Sequence, residues 1–158
     1  MGGPNWTNNY DWNITKFPCS WRGVICKNNT VVEIHLTCTN NRAGTIPNFN
    51  MHNLQKFSLT NSKLTESIPD LNDLPNLQEL HLIENQLTGI IPNFGYLPNL
   101  IDLNLSHNQL IGPVPGFSNL PNLTNFNLNR NQLTGLLPSF RDSPKLEDIS
   151  IWGNQISN

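Results

Sequence analysis

Leucines recur along this chain at intervals of two and three residues, and the whole grouping then recurs at a fixed distance. In LPNLQELHLIENQLTGIIPNFGYLPNL (74–100), Leu77, Leu80 and Leu82 are followed by Leu87 and an Ile-Pro pair. Pro75, Pro98, Pro121 and Pro144 are each 23 residues apart, and so are Leu77, Leu100, Leu123 and Leu146. A constant period in the range of roughly 20–50 residues signals a solenoid whose coils pack only on their neighbours. Within each unit LxxLxL reads as a short strand with alternate residues inward, as at Leu80 and Leu82, then Leu103 and Leu105. The Gly-x-Ile-Pro segment returns the chain along the far side. Its proline forces an extended backbone without a donor, so little helix is expected there. Two residues after each such proline stands a large apolar residue, Phe49, Leu71, Phe94, Phe117 or Phe140. These five read as a stacked core ladder.

The consensus LxxLxLxxNxLxGxIPxF resembles the leucine-rich repeat, and its Ile-Pro step resembles the plant-type extracellular subclass. The resemblance implies an α/β fold: a right-handed solenoid with a parallel concave β-sheet, 23-residue repeats, and a convex side that is mostly extended or 3-10. It also implies that Asn85, Asn108, Asn131 and Asn154 turn inward and bond the backbone of adjacent coils, with Ser62 in the second repeat doing part of that work. Cys19, Trp21, Gly23, Val24 and Cys26, followed by Val32, Ile34 and Leu36, resemble the N-terminal cap of that subclass. Residues 1–30 are thus expected to cap the first coil, with Trp12, Phe17 and Trp21 over its apolar face. Residues 31–158 hold about five and a half repeats with no recognisable C-terminal cap. Leu36 to Pro47 is one residue longer than Leu59 to Pro69, and Arg42 replaces the usual leucine, so the first repeat is irregular. The abrupt end at WGNQISN implies that the protein continues, or that a second molecule covers this end.

Composition narrows the setting. The chain has 158 residues, a net charge of −2 and only 13% charged residues, which gives no polyelectrolyte attraction to nucleic acid or an anionic bilayer. No apolar run reaches membrane-spanning length, and MGGPNWTNNY lacks the core of a signal peptide. Met1 to Gly3 read as a remnant ahead of a mature secreted chain. Cys19 and Cys26 are close enough for a bridge, although spacing leaves two reduced thiols open as well. Cys38 is left over, either as a plain thiol or with a partner elsewhere. Sequons begin at Asn5, Asn13, Asn28, Asn104 and Asn122, in keeping with an extracellular or cell-surface glycoprotein.

The outward strand positions stack into columns on the concave face. One column reads Glu33, Lys56, Glu79, Asp102, Asn125 and Asp148; the next, His35, Ser58, His81, Asn104, Asn127 and Ser150. A third holds Thr37, Thr60, Ile83, Ser106, Asn129 and Trp152, flanked by Asn61, Glu84, His107 and Arg130. Carboxylates beside histidines could serve acid–base or metal chemistry. A flat exposed sheet, however, neither desolvates them nor encloses a substrate, and no nucleophile, phosphate loop or metal motif accompanies them. We read no enzyme, cofactor or metal site here. The expected function is recognition of a protein, peptide or saccharide through Lys56, Glu79, His81, Ile83, Glu84, Asp102, His107, Asn129, Arg130 and Trp152. Trp152 serves either that surface or the closing of the last coil. Asn104 is a sequon in the middle of this face, where a glycan would obstruct it. Alternatives are end-to-end assembly into an extracellular filament through the uncapped end, and, less well matched by such mixed columns, ice binding.

Overall fold

The computed structural model describes residues 18–37, 44–46, 51–94, 97–117, 120–140 and 143–157. Expectations for Asn5, Trp12, Asn13, Phe17, Cys38, Arg42, Pro47 and Phe49 lie outside those residues. The strands are β1 (Val24–Lys27), β2 (Thr30–Thr37), β3 (Lys56–Thr60), β4 (Glu79–His81), β5 (Asp102–Asn104), β6 (Ile111–Gly112), β7 (Asn125–Asn127), β8 (Gln132–Leu136), β9 (Asp148–Ser150) and β10 (Gln155–Ser157). The helical content among the described residues is one 3-10 turn, Pro18–Ser20.

Two sheets close each coil. The concave sheet runs β1-β2-β3-β4-β5-β7-β9, parallel except for the β1–β2 hairpin. Its register equals the repeat: Glu79 faces Asp102, Leu80 faces Leu103 and His81 faces Asn104. A leucine every 23 residues therefore lands on the leucine below it, and Leu77, Leu80, Leu82 and Leu87 are fully buried with their counterparts in the adjacent coils, while Leu146, Ile149 and Ile151 in the last coil are only partly covered. The far side forms a shorter parallel sheet, β10-β8-β6, extended by the bridges Ser67–Thr88 and Ile90–Ile111. Here Gly112 faces Leu133, a register of 21 rather than 23 residues. The far strands therefore slip by two residues per coil. An even slip preserves inward and outward parity, so the core leucines stay inside.

The aromatic ladder is internal. Phe94 and Phe117 are buried, with Leu71 in the same position one coil earlier. Phe117 meets Phe126 edge-on at 4.5 Å and stacks on Phe140 at 6.2 Å. At the N-terminal end, Cys19 and Cys26 form a disulfide across the base of β1. The hairpin turns at Asn28 and Asn29, both left-handed (φ 50° and 58°), the backbone a two-residue turn of primed type requires.

Candidate functional site

From β3 onward, each coil leaves its concave strand in the same way. Asn61, Glu84, His107 and Arg130 all adopt left-handed φ of 49–58°, and Gly153 takes the equivalent place in the last coil. Their amides continue the ladder: Glu84 N–H donates to Ser106 O, His107 N–H to Asn129 O and Arg130 N–H to Trp152 O. A non-glycine residue in this region costs about 1–2 kcal/mol. Because five successive coils share the bend, it belongs to the coil rather than to a ligand. Only the side chain at the bend is free to differ.

The register brings the outward candidates into contact. Lys56 Nζ lies 2.9 Å from Glu79 Oε1, and His81 Nε2 lies 3.3 Å from Asp102 Oδ1. The His81–Asp102 contact is ionic rather than a well-aligned hydrogen bond, since Nε2 is buried without a hydrogen-bond partner. In β2, His35 and Glu33 approach to 2.7 Å. Adding the bend residues Glu84 and His107, the N-terminal half of the face carries four carboxylates against one lysine and three histidines. The C-terminal half is amide-rich and ends on Trp152, which is 55% exposed with the Arg130 guanidinium 4.6 Å above its ring. That cation–π contact holds the indole outward at the margin.

One candidate differs from expectation. Asn129 is only 8% exposed, and its Oδ1 accepts from the Trp152 backbone N–H, so its amide is spent inside the sheet. The same column holds Ser106, also buried, whose N–H and hydroxyl both donate to Asn104 Oδ1. The third column is therefore closed at Ser106 and Asn129 and open at Thr37, Thr60, Ile83 and Trp152. A further set was missed altogether. Asn76, Asn99 and Asn122 each donate from Nδ2 to a backbone carbonyl one coil earlier, of His52, Pro75 and Pro98, at 2.7–2.9 Å. This second ladder runs along the exposed edge before the strands. Its signal, asparagine recurring every 23 residues after Leu-Pro, was present in the sequence. Beside it, Lys27, Asn28, Thr30, Asn53, Gln55 and Asn76 line an open groove of about 320 Å³.

The ion pairs titrate in a defined direction. Contact with Asp102 holds the His81 imidazolium above the usual histidine range, against the opposing effect of burial, and contact with His81 holds Asp102 below the usual carboxylate range. Contact with Glu79 likewise raises Lys56. A raised histidine contributes its full stabilisation below its unfolded value of 6.5 and loses it as pH rises through the folded value. A depressed aspartate contributes above 3.8 and loses that as pH falls through its folded value. The pair is therefore most stabilising in mildly acidic solution, by no more than about 1 kcal/mol for a solvent-screened contact. Urea midpoints of the native protein and Asp102→Asn are expected to differ at about pH 5.5 and converge at about pH 8.5. A constant difference across that range would rule the pairing out.

A leucine-rich-repeat model with two copies matches residues 75–119, and a single-repeat model matches 122–142. No sequence among the curated proteins matches the chain. Among solved structures, the ectodomain of the plant membrane receptor kinase GASSHO1/SCHENGEN3 from Arabidopsis thaliana, in complex with CASPARIAN STRIP INTEGRITY FACTOR 2, superposes with a TM-score of 0.83 at 31% identity. That match covers 95% of this chain but only 18% of that one. The BIR2 ectodomain from Arabidopsis thaliana matches at 32% identity and TM-score 0.78 over 94% of this chain and 84% of that one. The Arabidopsis receptor kinase HAESA, in complex with the peptide hormone IDA and the co-receptor SERK1, matches at 26% identity and TM-score 0.69 over 79% of this chain and 22% of that one.

Proposed function

Because the chain belongs to the plant-type extracellular leucine-rich-repeat proteins, we propose that it is an extracellular or cell-surface recognition module that takes an extended peptide segment across its concave face. The observation that carries this reading is the register. Six strands present their outward side chains in straight columns at a sheet spacing of about 4.8 Å, which suits contact at successive residues of an extended chain. The similarity to ectodomains seen with a peptide hormone and a co-receptor supports the same reading, as does the Cys19–Cys26 bridge, a feature of oxidising compartments.

The chemistry of the face specifies the ligand further. Glu79, Glu84 and Asp102 outnumber Lys56 in the central coils, so the segment carries a lysine or arginine there. Trp152, pinned by Arg130, offers an apolar platform at the other end. Peptides selected from a random library on the folded protein are expected to be enriched in basic residues. They should lose about tenfold in affinity toward a Glu79→Ala, Asp102→Ala, His107→Ala variant, the loss of one to two screened charge contacts. Selected peptides whose binding is indifferent to that triple substitution would overturn the placement.

A further inference from the structure

The groove at the N-terminal edge lies away from the concave columns, and its lining is unusual. The Asn53 and Gln55 side-chain amides make no hydrogen bond among the described residues, and Asn76 uses only its Nδ2, on His52 O. Unpaired amides gathered in a recess offer both donors and acceptors, which is the pattern a sugar's hydroxyl and acetamido groups satisfy. No aromatic ring lines the groove to stack against a sugar face, so a free saccharide would be held weakly. A tethered one would not need high affinity, because a short covalent link supplies a local concentration in the millimolar range.

The tether is already at the rim. Asn28-Asn29-Thr30 is a sequon in the exposed turn of the β1–β2 hairpin, and both Asn28 and Thr30 line the groove. Thr30 Oγ1 donates to Asn28 O at 3.4 Å, which keeps the hydroxyl beside the acceptor residue. The other described sequons are placed differently. Asn122 is held at both ends of its amide, by Pro98 O and by Lys145 Nζ at 2.7 Å, and Asn104 stands on the concave face. We propose that Asn28 carries an N-linked glycan whose first N-acetylglucosamine seats in this groove and braces the cap hairpin against the coils that contribute Asn53, Gln55 and Asn76. In the attachment, Asn28 Nδ2 loses one proton and bonds to the anomeric carbon of an oligosaccharide carried as a lipid diphosphate. The anomeric C–O bond breaks, and the diphosphate leaves with its electron pair.

The inference rests on the extracellular placement proposed above but not on the peptide ligand, so the two fail separately. The protein, expressed behind a secretion signal in a eukaryotic host, is mapped by glycopeptide mass spectrometry. It is then trimmed enzymatically to a single N-acetylglucosamine per site. Asn28 is expected to be occupied, and the trimmed protein is expected to melt roughly 3 °C above the unglycosylated Thr30→Ala variant, the shift of about one extra bracing contact in a domain of this size. That increment should vanish in a Gln55→Ala, Asn76→Ala background, whereas Asn122→Gln should leave it intact. Side-chain amide resonances of Asn53, Gln55 and Asn76 should move when the single sugar is present. An unmodified Asn28 beside a modified Asn104 or Asn122 would overturn the proposal. So would an increment that survives loss of the groove amides. Loss of the concave-face peptide binding with Asn28 still seated would count against the recognition reading alone.

Discussion

Replacing Asn108 with alanine is expected to remove about 3 kcal/mol of stability, close to a 10 °C fall in melting temperature for a domain of this size. Asn108 is nearly buried, with Nδ2 donating to Leu82 O, Leu105 O and Ser106 O at 2.8, 3.1 and 3.2 Å and Oδ1 accepting from Leu87 N–H at 3.1 Å. The four partners do not suffer equally. Leu82 O keeps a bond from Asn85, Leu105 O keeps one from Asn131, and Ser106 O keeps the Glu84 N–H. The Leu87 N–H keeps nothing and is left buried and unpaired, which costs about 1–3 kcal/mol by itself. Three weakened carbonyl bonds and a small cavity supply the rest. Asn99→Ala provides the control. It removes the same residue type at the same spacing, with a comparable bond to Pro75 O at 2.9 Å, but on the exposed edge where water replaces the amide. Its effect should stay below about 1 kcal/mol. Urea denaturation of the two variants side by side decides the matter, and equal losses would show that burial is not what sets the value of these ladders.

The contrast between the two ladders also shows what the sequence could reveal. Period and residue type locate a column, so Leu77 and its successors, the ladder of Leu71, Phe94, Phe117 and Phe140, and the Asn85-to-Asn154 series were all legible. So were the concave columns, because a register equal to the repeat follows directly from a parallel sheet in a solenoid. Depth within a column was not legible. Asn129 and Trp152 share one column, yet the amide folds in to bond the backbone while the indole stays outside against the Arg130 guanidinium. The 21-residue register of the far sheet was hidden for a related reason. It depends on how far each coil slips past the last, and no periodicity within one strand encodes that. Nor did the edge groove announce itself, since Asn28 and Gln55 belong to different repeating units and meet only when the hairpin folds back. The ion pairs Lys56–Glu79 and His81–Asp102 fall between. Their columns were legible, but rotamers chose which neighbours touch.

Gly23→Ala is expected to be the second severe substitution, and it tests why the cap motif contains a glycine. Gly23 sits at φ 81°, and its carbonyl accepts the His35 N–H at 2.7 Å, which draws β2 against the backbone just before β1. A Cβ at this position would collide with the His35 carbonyl oxygen, with Leu36 Cδ2 at 2.9 Å and His35 C at 3.2 Å behind it. Backbone carbonyls paired in a sheet cannot swing aside as a flexible side-chain end can. The hairpin must therefore separate, taking the Val24–Ile34 pairing with it. Strained backbone alone costs about 1–3 kcal/mol, and the steric clash adds to it, so a total loss of at least about 3 kcal/mol is expected. In a solenoid that loss is local at first: amide exchange should accelerate across Val24–Lys27 while Leu80 and Leu103 in the central coils remain protected. Gly116→Ala, where an added Cβ meets nothing within 4 Å, should change stability by no more than about 0.5 kcal/mol. Protection of β1 that survives Gly23→Ala would mean that the disulfide from Cys19 to Cys26, rather than the close backbone approach at Gly23, is what holds the cap to the first coil.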